Sequence, residues 1–137
     1  MGLILDSSVL VASERQGKNA HHTFLAIAGQ VGESEIAISV ITLIELAHGA
    51  ARADSPERKT KREKFIQEVV TAVPVHPVTV PIAIRAGFLD GENQARGTRV
   101  PLPDLLIAVT ALELGFTVGT SNLRHFKQVA GLNVLQL

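Results

Sequence analysis

The stretch GLILDSSVLVASERQ, Gly2–Gln16, runs from a short apolar segment straight into a carboxylate and two serines, then resumes an apolar pattern through Val9, Leu10 and Ala12. A brief apolar run bounded by polar residues reads as a buried strand, and serines placed directly before an apolar periodic segment read as a helix cap. The stretch is therefore predicted to hand a strand over to a helix. The same succession returns at EIAISVI (35–41), rich in β-branched residues, followed by TLIELAHGAARA (42–53) with Leu43, Leu46, Ala47 and Ala50 at helical spacing.

Further along, HHTFLAIAGQ (21–30) reads as a helix. SPERKTKREKFIQEVVTAV (55–73) reads as another, with Ser55 as cap, Pro56 in the first turn and an apolar face through Phe65, Ile66, Val69 and Val70. VHPVTV (75–80) is a candidate third strand before a helix closed by Gly97. VPLPDLLIAVTALELG (100–115) supplies a helix predicted to start at Asp104, followed by a strand FTVGT (116–120), a loop SNLRHFKQVAG (121–131) and a last apolar stretch LNVLQL (132–137). Strands alternating with helices, with connections too long for hairpins, predict an α/β fold whose central parallel sheet is flanked by helices on both faces. At 137 residues, 46% of them hydrophobic, the chain is expected to form a single domain over 1–137.

Composition narrows the function classes. Thirteen basic residues balance thirteen acidic ones, so any grip on nucleic acid must be local rather than a property of the whole field. Five Phe with no Trp or Tyr argue against an aromatic platform for stacking bases. The absence of cysteine excludes disulfides and thiolate metal sites. MGLILDSSVLVA lacks the basic start of a secretory signal, and nothing reaches the roughly 20 apolar residues of a membrane span, so a cytoplasmic protein without a membrane partner is expected.

In an open parallel sheet the ligand crevice lies beyond the carboxyl ends of the strands. Asp6 ends the first strand, Glu45 follows the second, Asp104 opens the helix before FTVGT, and Ser121 and Asn122 follow that strand. Each has an ordinary alternative. Asp104 after Pro103 suits a helix N-cap, Thr42 and Glu45 match a capping box, Asp6 could cap or turn, and Asn122 could supply a turn. Gathered on one rim, however, like charges repel unless a cation lies between them, and carboxylates without thiolates suit Mg²⁺ or Mn²⁺. His21 and His22 are adjacent and His48, His76 and His125 isolated, so all five are expected in surface or packing roles. Ser7 and Ser8 lack the glycine-flanked elbow of a catalytic serine and read as a cap beside the metal, in reach of phosphate. The run Arg58–Lys64 is broken by Glu63 and reads as a solvated helix face.

Taken in order, LILDSSVLVA, ISVITLIELAHG, PLPDLLIAVTALELG and TVGTSNLRHF resemble the PIN domain, and especially the bacterial toxin ribonucleases of the VapC type. The likeness spans nearly the whole chain. It implies a PIN-like three-layer fold and endoribonuclease activity, in which water activated at Mg²⁺ or Mn²⁺ hydrolyses an RNA phosphodiester. On this resemblance the family's acidic metal residues map onto Asp6, Glu45 and Asp104, all three catalytic, with Asp6 and Asp104 holding the cation, Glu45 tuning it and Asn122 a candidate further ligand. Ser7, Ser8, Ser121, Asn122 and Arg124 are candidates for substrate binding. The resemblance also implies a homodimer silenced by a cognate VapB-like antitoxin.

Asn122 stands where many PIN domains carry a fourth acid; an amide oxygen can ligate but adds no charge, which favours one metal. Two rival enzymes or modules fit poorly. A haloacid-dehalogenase-type phosphatase needs a second Asp where this chain has Ser8, and a metal-dependent adhesion site needs Ser where it has Leu10. The remaining rival is a catalytically degenerate PIN fold kept for RNA docking or dimerisation.

Overall fold

Strand β1 (Gly2–Leu5) is buried along its whole length, as an apolar run covered on both faces requires. The computed structural model describes residues 2–137. After β1 come α1 (Ser7–Arg15), α2 (Ala20–Val31), β2 (Glu35–Ser39), α3 (Val40–Ala51), α4 (Pro56–Ala72), β3 (Val75–His76), α5 (Val80–Ala95), α6 (Leu102–Leu114), β4 (Thr117–Thr120), α7 (Leu123–Phe126) and β5 (Val134–Gln136). The five strands form one sheet in the order β3-β2-β1-β4-β5, every neighbouring pair parallel. The expected α/β architecture, a parallel sheet between two helical layers, is what forms.

Alternation along β1 divides the core in two. Ile4 packs with Ile82 and Ala86 of α5 and with Leu105, Ile107 and Ala108 of α6. Leu3 and Leu5 face the other way, onto Leu10 of α1, Ile27 of α2 and Phe65 and Val69 of α4. α3 serves both layers, Ile41 entering the first cluster and Leu46 the second. Among the described residues no helix is long and apolar enough to cross a membrane.

Several boundaries differ from the sequence reading, each for a local reason. The EIAISVI strand stops at Ser39, whose buried hydroxyl accepts the Ile41 amide at 3.1 Å and caps α3, so Val40 and Ile41 enter the helix despite their β propensity. The third strand is only Val75–His76, because Pro77 has no N–H to continue a ladder. α6 begins at Leu102 with Pro101 at its N-cap, so Asp104 lies inside the first turn and is not the cap. The loop after β4 contains α7, a single short turn of helix. Ser55 does cap α4, accepting the Arg58 amide at 3.2 Å, but Val70 on that helix is exposed.

Gly119 of β4 marks a close approach. A Cβ built there would lie 2.9 Å from Leu137 Cδ1, 3.0 Å from Leu5 Cδ2 and 3.2 Å from Leu3 Cδ1, two of those leucines belonging to the buried central strand. Gly119→Val should therefore destabilise the fold by about 1–3 kcal/mol through overpacking. Urea unfolding would register this as a lower midpoint at unchanged slope; an unchanged midpoint would mean that the leucines repack freely.

Candidate active site between the first and fourth strands

β1 connects toward β2 on one side of the sheet, while β4 adds on the other, so the strand order reverses between β1 and β4. Such a switch point opens a crevice at the carboxyl ends of its two strands. Asp6 is the first residue beyond β1, and its amide still donates to Gly119 O of β4 at 3.0 Å, which fixes it at that crevice. It is 5% exposed.

A buried carboxylate needs donors, and Asp6 has two. Oδ1 accepts the Ser8 amide, making Asp6, not the serines, the cap of α1. Oδ2 accepts the Thr120 hydroxyl at 2.6 Å. Thr120 is fully buried, and its Oγ1 also accepts the Asn122 amide at 2.9 Å. A hydroxyl has one proton and two lone pairs. With the proton committed to the carboxylate, the 3.3 Å contact between Ser8 Oγ and Thr120 Oγ1 has Ser8 as donor, and Ser8 Oγ in turn accepts the Ser121 amide at 3.1 Å. The residues after β4 are thus tied to the start of α1 through Thr120.

Glu45 lies in the second turn of α3, not in a capping box. Thr42 is turned inward instead, its hydroxyl donating to Leu5 O at 3.2 Å. Glu45 Oε1 accepts the Ser7 hydroxyl at 3.1 Å. Its carboxyl is held above the usual carboxylate range, chiefly by burial; the Ser7 bond pulls it down, and the charges of Asp104 and Asp6 push it up further. Asp104 projects from the first turn of α6, where the helix dipole favours an anion. Its Oδ2 lies 2.7 Å from Nδ1 of His125 on α7. Burial raises the Asp104 carboxyl too, the His125 hydrogen bond and charge oppose this, and the Asp6 charge adds to it.

Asp6, Glu45 and Asp104, drawn from three elements, therefore sense one another's charge. Among the described residues no three Asp, Glu or His side chains close into a ready-made ligand set, because each carboxylate is turned to its own donor, Thr120, Ser7 or His125. Three mutually repelling hard-oxygen donors at the mouth of a crevice fit a hard divalent cation. The Asn122 side chain is exposed and makes no capping hydrogen bond. Arg124 is exposed on α7 beside His125.

Thr120 and His125 are the residues that sequence reasoning missed. His125 was expected in a surface or packing role, yet it holds a carboxylate of the cluster. The available signal was the T-x-N-x-x-H-F segment, Thr120–Phe126, in which both occur.

The family profile of the PIN domain matches residues 3–132. This chain belongs to the PIN domain family. The PIN fold here is 30% identical over 135 residues to "Ribonuclease VapC1" of Rickettsia felis, spanning 98% of this chain and 96% of that protein. It is 33% identical over 101 residues to the "tRNA(fMet)-specific endonuclease VapC" of Salmonella typhimurium, 74% of each. Among solved structures, DNA-bound VapBC from Salmonella typhimurium contains a chain that superposes with a TM-score of 0.76 at 27% identity, covering 99% of this PIN domain and 98% of that chain.

Proposed function

We propose that this chain is a Mg²⁺- or Mn²⁺-dependent endoribonuclease, the toxin of a toxin–antitoxin pair. The observation that supports the reading is that Asp6, Glu45 and Asp104 lie near enough for their charges to act on one another, each held by a separate neighbour. The names of the relatives, ribonuclease and tRNA-specific endonuclease, agree with it. Asp6 and Asp104 would hold the cation, with Glu45 beside them. When bound, the cation supplies Lewis acidity toward a phosphoryl oxygen and lowers the pKa of a coordinated water.

The chain's own residues do the positioning. Thr120 fixes the Asp6 carboxylate, and His125 fixes one oxygen of Asp104. Ser7 occupies Oε1 of Glu45, leaving Oε2 to take up a proton from water, a role suited to a carboxyl raised by burial. Ser7, Ser8, Ser121 and Asn122 line the approach to the carboxylates, and Arg124 is a phosphate partner. The VapBC assembly of the solved relative supports an antitoxin partner. A homodimer is supported by an unpartnered apolar stripe on α5, where Val80, Ile84 and Phe88 are 72%, 55% and 70% exposed at four-residue spacing.

The test is RNA cleavage by the purified chain with Mn²⁺ and with chelator. Cleavage should require the metal. Mn²⁺ should also raise Tm by several degrees, since a ligand at about 100 times its Kd adds about 2.7 kcal/mol to the native state. A folded protein that cleaves neither structured nor single-stranded RNA in Mn²⁺, and whose Tm does not move, would overturn the reading.

A further inference from the structure

A cavity of about 970 Å³ runs from His125 along the segment Gly97–Leu102 to the end of α5. It meets the carboxylate cluster at His125, whose Nδ1 holds Asp104. Its volume is at the upper end of the range for small-ligand sites, about 300–1,000 Å³. Two arginines line it, Arg99 from the loop before α6 and Arg124 from α7. Both residues are exposed, and among the described residues neither is paired with a carboxylate. Arg96 nearby is different, since its guanidinium donates to Asn93 Oδ1 at 2.8 Å.

We infer that this cavity is the seat of the RNA strand on one side of the scissile bond, with Arg99 and Arg124 each binding a backbone phosphate. The inference rests on the ribonuclease reading above and adds where the substrate lies. A chain with no net charge needs local cations to hold a polyanion, and these two line the cavity that meets the cluster at His125. Guanidinium is suited to the task, because its planar fork binds phosphate oxygens in pairs. Gln94 and Gln128 add neutral donors and acceptors of the kind that meet base edges and 2′-hydroxyls. No Phe lines the cavity, so the strand is held by its backbone rather than by stacked bases. Asp90 is the one carboxylate of the lining, and it repels phosphate. The strand's phosphates therefore track Arg99 and Arg124 and avoid Asp90.

The test measures binding of a labelled, mixed-sequence single-stranded RNA to the full chain in EDTA, which prevents cleavage, across a range of salt concentrations. Each phosphate contact on a single strand contributes about 0.7 to the slope of log K against log salt, so the double variant Arg99→Gln, Arg124→Gln should lose about 1.4 in slope. It should also bind about tenfold more weakly at low salt. Asp90→Asn should bind more tightly than wild type. Lys61→Gln, Lys64→Gln on α4 removes the same charge away from the cavity and should leave the slope unchanged. Both double variants should keep the wild-type Mn²⁺ shift in Tm.

Equal losses in the two double variants would reduce the effect to overall charge and overturn the inference. So would an Arg99→Gln, Arg124→Gln protein with wild-type RNA affinity, and one that instead fails to bind a partner protein would assign the cavity to that protein. A wild type that neither binds nor cleaves RNA would overturn the ribonuclease reading itself, whereas RNA bound and cleaved without help from either arginine overturns only the cavity.

Discussion

Asp104→Asn should lower RNA cleavage by on the order of 10²-fold or more, the scale of loss when a group acting on developing charge is removed. The protein should stay folded. The substitution cannot uncap α6, because Pro101 occupies the N-cap and Asp104 lies in the first turn. An amide oxygen also remains to meet His125 Nδ1. What disappears is one negative charge from the cluster of Asp6, Glu45 and Asp104, and with it part of the field that, on the proposed reading, would hold a divalent cation.

Stability should move the other way in the absence of metal. The Asp104 and Glu45 carboxyls are both raised in the folded state, chiefly by burial, so the native protein binds more protons than the unfolded chain in the window just above ordinary carboxylate values. Their contribution is complete below the unfolded pKa and is lost as pH rises through the raised folded values. Above those raised values both are charged and repel. Metal-free Asp104→Asn should therefore melt at the same temperature as wild type or above it at pH 7, and its Mn²⁺ shift should shrink. A folded variant that cleaves RNA at the wild-type rate in Mn²⁺ would remove Asp104 from the mechanism.

Thr120→Val should destabilise the protein by roughly 1.5–3 kcal/mol, the usual worth of a hydrogen bond to a charged group. The hydroxyl is fully buried and donates to Asp6 Oδ2, so valine leaves a buried carboxylate oxygen without a donor. It also removes the acceptor used by the Asn122 amide. Cleavage should fall about 10–100-fold, as when a partner orienting a metal ligand is removed. Thr120→Ser keeps the hydroxyl and should recover most of the activity while losing only the packing of a methyl group. If Thr120→Val cleaves as well as wild type, the bond to Asp6 serves the fold alone.

The three acidic positions were legible because each interrupts or borders a strong apolar pattern. Asp6 ends LIL, Glu45 follows the β-branched EIAISVI, and Asp104 opens LLIAV. Which of them caps a helix was not legible. Asp and Ser are near-equal caps, so the preference selects residue types without choosing among neighbours. The cap fell to Asp6 and Ser39 rather than to Ser7, Thr42 or Asp104. Thr120 and His125 act through contacts 114 and 21 residues away in the chain, and no local pattern encodes such a partner. α7 is four residues long, too short to display a helical period.

The sheet order carries a consequence in time. β1 is made first yet lies at the centre of the sheet, between β2 and a β4 that begins only at Thr117. A ribosome lengthening this chain exposes Asp6 and Glu45 early and delivers Asp104, Thr120 and His125 last. Until then one edge of β1 has no neighbour, and pairing across so long a loop is slow to form. The nascent polypeptide accordingly carries an incomplete set of acids, without the threonine that anchors the first of them. If these residues form the nuclease site as proposed, a chain assembled in this order has no finished site while it is still emerging from the ribosome.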